Sequence, residues 1–201
     1  MRIQRDWVWS RRSYKKMVGL FQLIRKLINI LYTISIKRCF YSFGKDSRFN
    51  YPLKVYNPRH IQIGANVTIS EYGWLNSNSD ADSVSLIIGK NTFIGRFVHI
   101  NAYKCVTIED NVVIGERVYI SDATHVHNSN DIPIIQQGTE YEGQVLIKEG
   151  TWIGSGVSIL PGVIIGRNVV IGANAVVTKN IPDNVTAAGV PAKILKDKSN
   201  K

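Results

Sequence analysis

The sequence predicts an all-β solenoid, a three-sided coil of short parallel strands, led by a basic helical arm and interrupted by one projecting loop. Three observations predict it. Aliphatic residues recur at every sixth position, Gly and Asn follow them at a fixed phase, and the excess positive charge is confined to the first quarter of the chain. The 201 residues suffice for one domain with a buried core plus an appendage.

The arm comes first. Residues 1–50 hold 12 Lys and Arg against 2 Asp and Glu, whereas the remainder holds 13 against 13. The net charge of +10 therefore belongs to the arm, and the body offers no basic face to nucleic acid. Residues 1–16 are polar and basic, with Trp7, Trp9 and Tyr14 among the cations. From Met17 to Phe43 the chain turns apolar, and Leu20, Leu23, Ile24, Leu27, Ile28, Leu31 and Ile34 recur at helical spacing, with Arg25 and Lys26 off that face. The longest uncharged run, Leu27 to Ile36, is about ten residues, roughly half a membrane span. No small-residue cleavage site follows it, which argues against a signal peptide. Two readings of this basic amphipathic helix stay open. It packs on its own body or a partner subunit, or it lies on an anionic membrane surface through residues 1–45. Cys39 and Cys105 match no metal or redox spacing, which points to a cytoplasmic protein, at most peripheral at the inner face of the membrane.

The solenoid is read from about residue 57 to residue 195. Ile147, Ile153, Ile159, Ile165, Ile171 and Val177 are six apart, and shorter series run Ile63-Ile69-Leu75, Ile88-Ile94-Ile100 and Ile108-Ile114-Ile120. Gly64, Gly89, Gly95, Gly115, Gly154, Gly166 and Gly172 follow such residues, with Asn66, Asn91, Asn168 and Asn174 shortly after. Neither the helical period nor strand alternation yields this spacing. Three short strands per coil do, each with one inward aliphatic and a tight corner where Gly or Asn accepts a positive φ. Residues 121–146 break the period as a polar loop carrying His125 and His127. A second break spans Asn76 to Ser83, and two extra residues enter near Asn101 to Lys104. Insertions at solenoid corners project from one edge and carry function.

This pattern resembles the hexapeptide-repeat proteins, whose fold is a left-handed parallel β-helix and whose members are mostly trimeric acyltransferases. The stretch Asp122-Ala-Thr-His125 resembles the Thr-Ala-Thr-His of maltose and galactoside O-acetyltransferases, where this His is the general base. The resemblance thus implies His125 as catalytic residue and acetyl-CoA as donor. The chemistry agrees: a sugar hydroxyl attacks a thioester poorly unless an imidazole, which titrates near neutrality, takes its proton. The resulting oxyanion needs a donor such as a backbone N–H.

The same resemblance extends to the donor side. Trp152-Ile-Gly-Ser155 matches a segment whose Trp lines the reacting groups and whose Ser position meets the pantetheine arm. Ala173 occupies the equivalent corner 18 residues on. Thr178 and Lys179 match donor-contacting positions. Lys193 and Lys196 fall in the C-terminal signature, where an Arg at the Lys196 position meets the coenzyme phosphates; Lys supplies the charge without the fork. On the acceptor side Asn101 replaces an Asp and Gly95 replaces an Asn, so acceptor identity does not carry over. The basic arm suits a glycan repeat unit or lipid-linked sugar, as in the O-antigen and capsule O-acetyltransferases.

The expectation is therefore a homotrimeric, acetyl-CoA-dependent sugar O-acetyltransferase with no metal. Asn101 and Trp152 shape the acceptor cleft, and Ser155, Ala173, Thr178, Lys179, Lys193 and Lys196 hold the donor. Three rivals remain: N-acetylation of a nucleotide-linked amino sugar, a non-catalytic scaffold, and a metal hydratase. The hexapeptide-repeat carbonic anhydrases bind metal through three His, but His99, His125 and His127 lack their spacing. His99, one residue before Ile100, is expected to face outward in a surface role.

Overall fold

The computed structural model describes residues 11–78 and 83–198. Trp7 and Trp9 of the arm, and residues 79–82 of the second break, lie outside the described residues. Helix α1 (Arg11–Ile36) is followed by a short 3-10 turn and then extended backbone at Phe40. Six coils follow. The first holds β1 (Ser42–Phe43), β2 (Arg48–Phe49) and β3 (Lys54–Tyr56). The second holds β4 (Ile61–Ile63), β5 (Thr68–Ile69) and β6 (Trp74–Ser77). The third holds β7 (Leu86–Ile88), β8 (Phe93–Ile94) and β9 (His99–Ala102). The fourth holds β10 (Val106–Ile108), β11 (Val113–Ile114) and β12 (Tyr119–Ser121). The projecting loop then contributes β13 (Ala123–His125), the single turn α2 (Ile134–Gln137) and β14 (Thr139–Tyr141). The fifth coil holds β15 (Val145–Ile147), β16 (Trp152–Ile153) and β17 (Ser158–Ile159), and the sixth β18 (Ile164–Ile165), β19 (Val170–Ile171) and β20 (Val176–Val177). A terminal hairpin, β21 (Val185–Ala188) and β22 (Lys193–Asp197), closes the end.

Corresponding strands of successive coils pair in parallel and build three sheets. We call the sheet begun by β1 the first face, that begun by β2 the second and that begun by β3 the third. Register puts one aliphatic of each strand on an inward column. Ile63, Ile88, Ile108, Ile147 and Ile165 stack on the first face, and Ile69, Ile94, Ile114, Ile153 and Ile171 on the second. Leu75, Ile100, Ile120, Ile159 and Val177 stack on the third. All are essentially inaccessible to solvent, so hydrophobic burial along these columns is the main stabilising term.

The corners divide two tasks. Positive φ falls on Asn66, Asn91, Asn111, Asn168 and Asn174 and on Gly150, Gly156 and Gly162. The glycines that directly follow inward aliphatics serve close stacking instead: a Cβ on Gly64 would sit 2.6 Å from the backbone N of Lys90. Side-chain amides climb one corner, with Asn66 donating to Asn91 at 3.1 Å and Asn91 to Asn111 at 3.0 Å.

Coiling begins earlier than the expected residue 57, because the first coil uses Phe43, Phe49 and Val55 where later coils use Ile. Phe40, Phe43 and Phe49 form an edge-on cluster, with centroids 5.2–5.6 Å apart, that plugs the open end. Helix α1 docks on this coil through polar groups. Asn29 donates to Asn50 at 3.0 Å and accepts from the Tyr51 N–H at 2.9 Å. Thr33 Oγ1 accepts from the Phe49 N–H at 3.0 Å, and the Tyr32 hydroxyl donates to the Leu53 carbonyl at 2.6 Å. Arg25 pairs with Glu71. The apolar face that could have packed on the body points away from it: Leu20, Leu23, Ile24, Leu27, Leu31 and Ile34 are 43–67% exposed.

Candidate active site

On the third face, the residue before each inward aliphatic points outward. Parallel register therefore stacks Lys54, Trp74, His99 and Tyr119 in one column. The Trp74 and His99 rings lie parallel at 4.4 Å, Tyr119 meets His99 edge-on at 5.4 Å, and Lys54 Nζ caps Trp74 at 4.1 Å. Burial, helped by the Lys54 charge, pushes the His99 pKa down. The outward position matches expectation, but His99 is a stacked member of a ring column. Two residues along each strand runs a second column. Asn76 donates to Asn101 Oδ1 at 2.8 Å, and Asn101 donates to Ser121 Oγ at 3.3 Å.

The loop leaves this face immediately afterwards, and Asp122 anchors it. Its fully buried carboxylate accepts the N–H groups of Tyr103, Lys104 and Cys105 at 2.7, 2.7 and 2.6 Å. Those residues are the insertion between the third and fourth coils, so the two breaks in the period hold one another. Strands β13 and β14 then pair antiparallel, setting His125 opposite Thr139. Thr139 Oγ1 lies 3.4 Å from His125 Nδ1, which leaves Nε2 as the nitrogen open to a reacting group. His127 donates from Nδ1 to the His125 carbonyl at 2.9 Å. His125, Thr139, Asn76, Asn101, Trp74 and His99 line a cleft of about 410 Å³. The indole N–H of Trp74 is buried there without a hydrogen-bond acceptor.

The expected donor residues divide between two edges. Ser155 and Ala173 stack where the second face turns into the third, with the Asn174 N–H donating to the Ser155 carbonyl at 2.8 Å. Gly95, Gly115 and Ser155 share a groove of about 430 Å³ on this corner. Trp152, 54% exposed, lies just before it between Val113 and Val170. At the top of this column a Cβ on Gly172 would meet Ala188, whose partner in the terminal hairpin is Lys193, with Lys196 opposite Thr186. Thr178 and Lys179 follow β20, on the other edge, where the third face turns back into the first. The loop bearing His125 leaves from that same edge. One chain therefore unites Asn101 with His125, and Trp152 with Ser155, Ala173, Lys193 and Lys196, but does not bring the two groups together. Among the described residues, no three His, Cys, Asp or Glu side chains group to hold a metal ion.

Sequence reasoning missed Asp122 as an anchor and Trp74 and Tyr119 as cleft residues. The signal for the rings was positional, since Trp74, His99 and Tyr119 each precede an inward Leu or Ile by one residue.

Residues 144–179 match the family model described as bacterial transferase hexapeptide (six repeats). The chain is 34% identical to a putative lipopolysaccharide biosynthesis O-acetyl transferase of Escherichia coli, over 90% of this chain and 91% of the relative. Among solved structures it is similar to galactoside acetyltransferase in complex with coenzyme A, with 30% identity, a TM-score of 0.59, and 82% and 68% of the two chains covered. It is also similar to an N-acyltransferase from Bacillus cereus in complex with dTDP and 3-hydroxybutyryl-CoA, with 25% identity, a TM-score of 0.69, and 81% and 86% covered.

Proposed function

The chain belongs to the hexapeptide-repeat acetyltransferases, and from that premise we propose that it moves an acetyl group from acetyl-CoA to a hydroxyl of a cell-surface glycan or its precursor. His125 is the general base, and the coil is left-handed, as in that family. The observation that carries this reading is the cleft in which His125 faces a flat ring column and a ladder of amides. Such a surface suits a sugar: the pyranose packs against the outer edges of the Trp74, His99 and Tyr119 rings, since Trp74 is covered by His99 on one side and Lys54 on the other, and hydroxyls exchange hydrogen bonds with Asn76 and Asn101. Nε2 of His125 takes the hydroxyl proton as the oxygen attacks the thioester carbonyl. The C–S bond breaks, and the proton passes to the departing thiolate.

The donor fits the other edge. Small corner residues let the pantetheine arm lie against stacked backbone at Ser155 and Ala173, with Trp152 near the reacting group and Lys193 and Lys196 beside the phosphates. Thr178 and Lys179 serve the donor from the edge that carries His125. The two edges meet only if one copy packs head-to-tail on the next, and three copies close the ring. The reading fits a cytoplasmic homotrimer.

The test is acetyl transfer from labelled acetyl-CoA to a panel of free and lipid-linked glycans. His125→Ala loses at least about 100-fold in kcat while still binding coenzyme A. Co-assembly of His125→Ala with Trp152→Ala chains restores part of the activity, because some interfaces then carry both intact edges. Unchanged activity in His125→Ala overturns the mechanism, and no transfer by the unaltered chain to any acceptor leaves the scaffold reading. The similarity to an enzyme named as an N-acyltransferase favours a second reading, N-acetylation of a nucleotide-linked amino sugar, and the same panel separates it by acceptor.

A further inference from the structure

The outward face of α1 has no function in that chemistry. Leu20, Leu23, Ile24, Leu27, Leu31 and Ile34 form a continuous apolar stripe, all exposed, opposite the flank that docks on the first coil. Residues 11–38 carry Arg11, Arg12, Lys15, Lys16, Arg25, Lys26, Lys37 and Arg38 and no acidic residue. Beside the helix a groove of about 750 Å³ adds Lys45 and Arg48 to Arg25, Lys26 and Lys37, with Asp46 among them. Soluble surfaces rarely leave such an apolar stripe open. An apolar stripe bordered by cations on one flank is complementary to a bilayer with anionic headgroups.

We infer that α1 lies flat in the headgroup region of an anionic membrane, its aliphatic stripe among the acyl chains and its flanking cations on lipid phosphates. The segment Tyr14–Cys39 is long and apolar enough to cross a membrane by length and composition alone. Its docking argues for lying flat. The bonds of Asn29, Tyr32 and Thr33 and the Arg25–Glu71 pair fix the C-terminal half of the helix to the solenoid, and a spanning helix would forfeit them. A second copy is the poorer occupant of the stripe, since face-to-face packing would bring two cation-rich helices together without an acid to offset them.

This goes beyond the acetyl-transfer reading and is tested apart from it. Full-length protein is sedimented with vesicles of phosphatidylcholine alone and of phosphatidylcholine with phosphatidylglycerol, at low and high salt. Binding is expected only to the anionic vesicles. Leu27→Glu with Leu31→Glu weakens it at least tenfold, Lys37→Glu with Lys45→Glu weakens it mainly at low salt, and alkaline carbonate releases the bound protein. Transfer to a soluble acceptor stays unchanged in both double variants. Equal binding to neutral vesicles, or none to either kind, overturns the inference. So does resistance to carbonate, which marks a spanning helix. A smaller assembly by light scattering in the Leu27, Leu31 variant also overturns it, because the stripe would then be a contact between copies.

Discussion

Asp122 is fully buried, yet three backbone N–H groups satisfy its carboxylate. Asp122→Ala strands those donors and is expected to lower the unfolding free energy by about 3 kcal/mol, read from urea denaturation. The same variant frees the loop that carries His125, so kcat should fall even where enough folded protein remains to assay. His99 makes a different prediction. Its pKa is held below the ordinary 6.5 by burial and then by Lys54. The unfolded chain thus binds more protons at this ring than the folded chain does. The folded state keeps its full stability above that ordinary value and loses it as the pH falls toward the folded pKa. Thermal melts between pH 7 and pH 5 should show a decline that His99→Phe reduces. Of these residues, the place of His125 on the loop and the outward position of His99 were legible in advance, the first from a short motif and the second from its place one residue before Ile100. Asp122 matters through chain it reaches 17–19 residues upstream, and the Trp74–His99–Tyr119 column exists only once strands from three coils share a register.

Coils depend on what their corners admit. A Cβ on Gly154 would lie 2.7 Å from the Ala173 backbone N and 2.8 Å from the Ile171 carbonyl oxygen, both main-chain atoms that cannot swing aside. Gly154→Ala should cost about 1–3 kcal/mol and weaken coenzyme A binding, because it displaces Ser155 and Ala173 together; calorimetry measures both effects. Asn91 has φ 57° and links Asn66 to Asn111. Asn91→Ala loses the amide ladder and strains the corner, at about 1–2 kcal/mol, whereas Asn91→Gly keeps the corner relaxed and should lose less. The solenoid was legible because neither a helix nor an alternating strand repeats every six residues, whereas a three-sided coil must. Its first coil escaped notice because two of the three residues that keep that spacing, Phe43 and Phe49, are aromatic, which leaves Val55 as a lone aliphatic. The helix was legible as a helix, but its orientation was not. Asn29, Tyr32 and Thr33 carry polar groups that coil ends accept, and only the folded first coil reveals that these, rather than the leucines, face inward.

At the scale of the whole molecule both ends of the coil are closed, one by α1 over the Phe cluster of the first coil and the other by the antiparallel β21–β22 hairpin, whose exposed β22 is the last strand of its sheet. The first closure has an acid-sensitive clasp. Burial alone would raise the Glu71 pKa, but hydrogen bonds from its own backbone and from Arg25, with the Arg25 charge, hold it below the usual 4.5. A depressed carboxylate stabilises the folded state above its unfolded pKa and loses that contribution as the pH falls through the folded one. The protection of α1 amides against hydrogen exchange, relative to the unfolded chain, should therefore fall below about pH 4.5, and Glu71→Gln should lower it at neutral pH. The layering also sets a height. Each turn rises by about 4.8 Å, and the loop that bears His125 branches off after the fourth turn while α1 rests on the first, so the root of that loop stands on the order of 14 Å above the first turn. With α1 on a bilayer, the protein becomes a ruler: a tethered acceptor is modified only where its stalk lifts the target hydroxyl to that level, and a free one escapes the measurement.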